Sequence, residues 1–157
     1  METKASVKST IYAKDIMYPR LSLPFQEQGK ELLNKLLVPY PALPVVNGNL
    51  EVIGIISEYD ILDALNEGRM IEDFTAESIM KCGHLGHTDV CETPLTVTTT
   101  ASLEEVMDIL YRERFSILPV VENRKLVGLI TRKTIINVLA EGRYRPEHES
   151  GAYAKAA

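Results

Sequence analysis

Cysteine is scarce in this sequence: 2 residues in 157, too few for a disulfide framework, so a reducing cytoplasm is the expected compartment. Positive charge is in deficit as well. Seventeen Lys and Arg face 22 Asp and Glu, a formal net charge of -5. That balance argues against nucleic acid as a partner, because such recognition sets Lys and Arg against phosphate. No apolar run approaches the ~20 residues of a membrane span. The stretch Met1–Lys14 has no apolar signal core, so neither a membrane span nor export is expected. The familiar catalytic signatures are missing too: there is no Gly-x-Ser-x-Gly elbow, Walker loop, Gly-x-Gly-x-x-Gly or His-Glu-x-x-His. Asp15, Asp60, Asp63 and Glu105 sit where cap or surface carboxylates are expected, and no enzymatic reaction is predicted. What is present is a chain that is 45% hydrophobic, with a length that suits one compact domain or two very small ones sharing a core.

An internal repeat organises the chain. The hexapeptide Tyr12–Met17 reappears as Thr75–Met80, Leu21–Leu23 as Leu95–Val97, and Leu43–Val46 as Leu118–Val121. Gly54–Ser57 returns as Gly128–Thr131, and Asn66–Gly68 as Ala140–Gly142. The first blocks are 63 positions apart and the later ones 74 or 75, so the second copy carries about a dozen extra residues between Met80 and Leu95.

Each copy predicts the same elements. A short strand (Leu21–Leu23; Leu95–Val97) leads into a helix. In the second copy, Ser102 and Glu105 form a capping box ahead of the stripe Val106, Met107, Ile109 and Leu110. In the first, the stripe is Leu32, Leu33, Leu36 and Leu37, and Pro39 and Pro41 end the helix. Two strands follow, Pro44–Val46 and Val52–Ile56 around the turn Asn47–Asn49, then Pro119–Val121 and Leu126–Ile130 around Glu122–Arg124. A final helix spans about Glu58–Glu67 in one copy and Ile135–Glu141 in the other, stopped by Gly68 and Gly142.

In its ordered duplication the sequence resembles the CBS-domain family in its tandem-pair form. The matching residues are the Ile-Met before the first strand, Leu-Pro-Val-Val, and Gly54, Ser57 and Asp60 of the Gly-x-x-Ser-x-x-Asp stretch. The resemblance implies an α+β fold of two β-α-β-β-α repeats whose sheets pack about a pseudo-two-fold axis and leave two clefts. It also implies that such pairs often form homodimeric discs. The expected division is an N-terminal tail at 1–10, the first repeat at 11–70, the second at 71–142 with an insertion at 81–94, and a C-terminal tail at 143–157.

The stretch Gly54–Asp60 carries the candidate site. A strand ends at Ser57 and a helix begins, presenting backbone N–H groups and the positive end of the helix dipole. Gly54 removes a side chain where a backbone or ligand must come close. Ser57 can donate to an oxygen, and Asp60 can accept from two neighbouring hydroxyls of a ribose. The resemblance implies those roles for Ser57 and Asp60, with adenine among Leu21, Ala42, Leu43 and Pro44. The same residues also fit a plain helix cap, Ser57 at N-cap and Asp60 at N3.

In the second copy Thr131 keeps the hydroxyl but Thr134 replaces the acid, so an asymmetric pair is expected, with one competent cleft and one weak or empty. Arg114, Ser116, Thr131, Arg132 and Lys133 are candidates for that second cleft or for phosphate contacts, although a solvated helix start accounts better for Arg132 and Lys133. The leading expectation is therefore a regulatory module for an adenosine-containing ligand (AMP, ADP, ATP or S-adenosylmethionine), requiring no cofactor and reporting to an effector protein. Two alternatives stand beside it. One is a ligand-free scaffold for protein–protein interaction. The other is a metal- or redox-responsive module built on Cys82, His84, His87 and Cys91, whose thiolate and imidazole groups suit zinc although their spacing is not a standard one.

Overall fold

The computed structural model of the chain describes residues 10–81, 96–113 and 117–145. Cys82, His84, His87, Cys91, Arg114 and Ser116 lie outside the described residues. In chain order the elements are α1 (Ala13–Ile16), β1 (Tyr18–Pro19), β2 (Leu23–Pro24), α2 (Gly29–Lys35), β3 (Ala42–Val46), β4 (Val52–Ser57) and α3 (Glu58–Asn66). A 3-10 turn (Ile71–Asp73) leads to α4 (Ala76–Ile79), β5 (Val97–Thr98), α5 (Leu103–Glu113), β6 (Leu118–Glu122), β7 (Lys125–Ile130) and α6 (Arg132–Ala140). The strand–helix–strand–strand–helix unit thus occurs twice, and the fold is the mixed helix-and-sheet pair that the repeat implied.

There are two sheets, ordered β2-β3-β4 and β5-β6-β7-β1. In each, a short first strand runs parallel to the second, and the second and third form an antiparallel hairpin. The first hairpin turns through Asn47, whose carbonyl accepts the Leu50 N–H and whose side-chain oxygen accepts the Asn49 and Glu51 N–H groups. Leu50 closes it at φ 63°. The second hairpin is one residue tighter: Asn123 and Arg124 both take positive φ, 51° and 69°. That is the mark of a two-residue turn whose twist matches the flanking strands. The turns meet across the two halves, where Leu126 N–H donates to the Leu50 carbonyl at 2.9 Å.

The first block of each repeat crosses to the other half. Strand β1 pairs antiparallel with β7, Tyr18 opposite Leu129 and Pro19 opposite Gly128. Ala13 N–H donates to the Ala101 carbonyl and Lys14 N–H to that of Thr99. The mirror-image contacts join the second copy's first block to the first sheet: Ala76 N–H to the Glu27 carbonyl, Glu77 N–H to that of Phe25, and Lys81 in a bridge with Ile55. Buried side chains follow the same exchange. Phe74, Ala76 and Ile79 pack with Leu23, Leu32, Leu43 and Ile56, whereas Ala13 and Ile16 pack with Leu103, Val106, Leu118 and Ile130. Burial of each Phe, Leu, Ile or Val among them contributes roughly 1.5–3 kcal/mol, and of each Ala less. Three residues of the second half, Ile117, Leu126 and Leu129, complete the core of the first.

Several expected elements differ in their limits: the hairpin strands extend by one or two residues, and the second copy's first strand is Val97–Thr98, not Leu95–Val97. The first strand is Leu23–Pro24, not Leu21–Leu23, because pairing with β3 begins at Leu23 opposite Val45. Helix α2 closes at Lys35 with Leu36 as its C-cap, so Leu37 leaves the apolar stripe and is 82% exposed. Helix α6 begins at Arg132 rather than Ile135, since Thr131 caps it.

Candidate functional site

Ser57 and Asp60 occupy the junction of β4 and α3. Ser57 is the N-cap and Asp60 the N3 residue of a reciprocal capping box. The Asp60 N–H donates to Ser57 Oγ at 3.2 Å, and Asp60 Oδ2 accepts the Ser57 N–H at 2.7 Å. Such a box satisfies two N–H groups that the first turn leaves without helical partners. It leaves Asp60 Oδ1 for other partners.

That oxygen faces Lys81, a residue for which the repeat motifs had suggested no role. Lys81 Nζ stands 3.5 Å from Asp60 Oδ1 and donates to Asp63 Oδ2 at 2.8 Å. The Lys81 side chain is 24% exposed and that of Asp60 12%. The hydrogen bond to Asp63 raises the Lys81 ammonium above its usual range, burial opposes the rise, and the Asp60 charge adds to it. The main chain of Lys81 is tied down by two bonds to Ile55, 2.8 Å and 2.7 Å.

The other expected residues gather at the same end of the sheet, with two exceptions. Ala42 lies directly opposite Ser57 and Leu43 opposite Ile56, and Ala42, Leu43 and Pro44 are all buried. Leu21 stands just ahead of β2 and is exposed. Because Leu23 pairs in parallel with Val45, Leu21 falls level with Leu43 in register without pairing to it. Gly54 is further down β4, and the space in front of it is filled by Met80: a Cβ there would stand 2.6–2.9 Å from three Met80 side-chain atoms. The close approach that Gly54 permits is therefore to the partner block of its own chain. Gly128 does the same for Met17, which gives the duplicated Ile-Met pattern a packing role.

The second half-site has the same backbone and different chemistry. Thr131 and Thr134 form the equivalent capping box, with bonds of 2.9 Å and 3.3 Å and hydroxyl oxygens 3.4 Å apart. Both are sealed, Thr134 at 2% exposure. Where Asp63 meets Lys81 in the first half, Asn137 donates to the Tyr18 hydroxyl at 2.7 Å in the second. Arg132 and Lys133 are exposed in the first turn of α6. The signal for Asp63, Lys81, Tyr18 and Asn137 lay in the repeat offsets, since 63 separates Tyr18 from Lys81 and 74 separates Asp63 from Asn137.

No group of three or more His, Cys, Asp or Glu among the described residues is arranged to hold a metal ion. No helix among them is long and apolar enough to cross a membrane.

Comparison with known proteins places these features in a family. The CBS-domain profile matches residues 13–67 and 88–141. The inosine-5'-monophosphate dehydrogenase of Nitrosopumilus maritimus (strain SCM1) is 31% identical over 96 residues, covering 60% of this chain and 17% of the dehydrogenase. The matched regions span 17% to 53% of the lengths of these curated relatives. Among solved structures, CBSX2 in complex with AMP superposes with a TM-score of 0.68 at 23% identity, covering 85% of this chain and 98% of that one. The CBS domain pair of protein MJ0100, in complex with 5'-methylthioadenosine and S-adenosyl-L-methionine, superposes at 0.66 with 23% identity, covering 85% and 99%. Two matched repeats spanning more than half the sequence, and coinciding with two structural halves related by exchanged first blocks, show that the chain belongs to the CBS-domain family.

Proposed function

We propose that this chain is a regulatory module that binds an adenosine-containing ligand at the first half-site. The carrying observation is the state of Asp60: one carboxylate oxygen is fixed by the Ser57 N–H, and the other faces Lys81 in a partly open setting. Asp60 accepts from the ribose hydroxyls, the Ser57 hydroxyl donates to the ribose-phosphate, and adenine lies on the Leu21 side of the sheet end formed by Ala42, Leu43 and Pro44. The ligand complexes of CBSX2 with AMP and of MJ0100 with 5'-methylthioadenosine and S-adenosyl-L-methionine support this class of ligand. The second half-site, sealed over Thr134, is weak or empty. The module catalyses no reaction. It acts by favouring one packing of the two halves, to the extent that ligand affinity differs between packings, and an effector protein reads the outcome.

Self-association belongs to the same proposal. Leu62 and Leu65 on α3 and Ile136 and Leu139 on α6 are exposed apolar residues at equivalent positions. Such a duplicated face suits a second copy of the chain, related by two-fold symmetry.

The test is a thermal-shift titration with AMP, ADP, ATP, S-adenosylmethionine and NAD. A ligand at about 100 times its Kd adds ~2.7 kcal/mol, which corresponds to roughly 5–11 °C for a chain of this size. D60N keeps an oxygen to accept the Ser57 N–H but loses the carboxylate, and should abolish the shift without unfolding the protein. Flat curves for all five compounds, or a shift undiminished in D60N, would sink the assignment.

A further inference from the structure

We propose that Lys81 is a ribose-reading residue of the first half-site, its ammonium donating to the oxygen of a hydroxyl whose proton Asp60 accepts. The inference rests on the ribose-binding role of Asp60 and deepens it.

A hydroxyl is both donor and acceptor, and a carboxylate only accepts. Asp60 alone therefore leaves the ligand's hydroxyl oxygens without a donor, and in a partly desolvated setting an unmet acceptor is costly. Lys81 supplies what is missing. Its ammonium has three N–H groups. One is spent on Asp63 at 2.8 Å, and the 3.5 Å approach to Asp60 is a charge contact, too long for a good hydrogen bond. Donor capacity thus remains on an atom held beside the diol-accepting carboxylate.

The lysine is also held in place. Two main-chain bonds to Ile55 anchor its backbone and Asp63 anchors its tip, so little side-chain freedom is left to lose when ligand arrives. The second half-site lacks both parts together. Thr134 replaces the acid, and the place of Lys81 is taken by Tyr18, whose hydroxyl is engaged by Asn137. Cation and carboxylate occur in the same half of the molecule and are replaced in the same half.

The experiment is calorimetric titration of the full chain, wild type and variants, with AMP, 2'-deoxy-AMP and 3'-deoxy-AMP. K81M keeps the main-chain bridge and removes the donor. It should weaken AMP binding about tenfold, the loss expected for one charge-assisted hydrogen bond, and should weaken the deoxy analogue lacking the hydroxyl that Lys81 reads by less than about twofold, the non-additivity expected of interacting partners. K81R, which keeps charge and donors, should retain the discrimination between ribose and that deoxyribose. Equal weakening of all three nucleotides in K81M overturns the proposal, since it reports only a general field. Unchanged or tighter AMP binding also overturns it, the latter marking Lys81 as a competitor for Asp60. If D60N loses AMP and K81M does not, only the role of Lys81 fails. If D60N binds AMP as well as wild type, or the wild type binds none of AMP, ADP, ATP, S-adenosylmethionine and NAD, the ribose assignment fails with it.

Discussion

The two halves of this molecule place the same backbone around different chemistry. At the start of α3 stand Asp60, Asp63 and Lys81; at the start of α6 the corresponding residues are Thr134, Asn137 and Tyr18. Both junctions are closed by a reciprocal capping box, and both third strands carry a glycine against which a methionine from the exchanged block is packed. The scaffold needs a cap, a glycine and a methionine, and it has them twice. It does not need a charge at N3 of the helix. The first half has one, kept partly open beside a lysine, and the second has a buried threonine instead. Thr131 and Thr134 are the buried polar residues among those described. A charge present at one of two otherwise equivalent places is not a requirement of the shared scaffold.

The strongest way to break this comparison is to move the charge. T134D places a carboxylate in a sealed position where the residues corresponding to Asp63 and Lys81 are neutral. Its cap N–H offsets part of the burial cost, leaving a loss of about 2–4 kcal/mol, or roughly 5–15 °C in Tm. Adding Y18K should recover part of that loss by supplying the missing cation. If T134D is as stable as wild type, the second half tolerates a charge and the contrast between the junctions is not electrostatic.

A smaller effect is expected from the packing shared by both halves. In G128A the new Cβ would press on Met17 and stand 2.9 Å from the main-chain oxygen of Tyr18, which cannot move without disturbing β1. About 1–3 kcal/mol of destabilisation should follow. In G54A the neighbours are Met80 side-chain atoms, which can rotate away in part, so the loss should be about half as large. Denaturant unfolding of the two variants ranks them, and a G54A protein less stable than G128A would reverse the order.

The smallest effect is a linkage confined to the first half. The Lys81 ammonium is raised above its ordinary value of 10.5, chiefly by its bond to Asp63. A group whose folded pKa is raised contributes stability that is fully present below the unfolded pKa and is lost as pH rises through the folded one. Wild type should therefore exceed K81M in Tm from neutral pH up to about pH 10, and the gap should close above that range. A gap unchanged to about pH 12 would show that the lysine charge contributes nothing to stability.

Much of this was legible in the residues. Ser57 and Asp60, and Ser102 and Glu105, announce helix starts through local bonds within four positions of chain, and both caps form; Thr131 and Thr134 form the same cap, so α6 starts at Arg132 and not at the expected Ile135. Gly68 and Gly142 adopt the positive φ, 83° and 71°, that ends α3 and α6. The hairpins were legible because two apolar runs around a short polar turn have few other ways to pair. Less legible was the end of α2, where Leu37 matches the apolar spacing but the helix has already closed at Lys35.

The repeat, its local elements and the asymmetry between Asp60 and Thr134 follow from the residues alone, because each depends on interactions between near neighbours or on simple comparison of two copies. That the first block of each copy crosses to the other sheet is a property of the folded molecule. A two-residue strand or a single bridge carries almost no periodicity, and the open edges of the two sheets offer it equivalent partners, so its own residues do not say which edge it joins. That exchange brings Lys81 to Asp60 and Asp63, Tyr18 to Asn137, and each methionine onto the other copy's glycine. These are contacts across long stretches of chain, fixed by how two cores close and not by any local pattern.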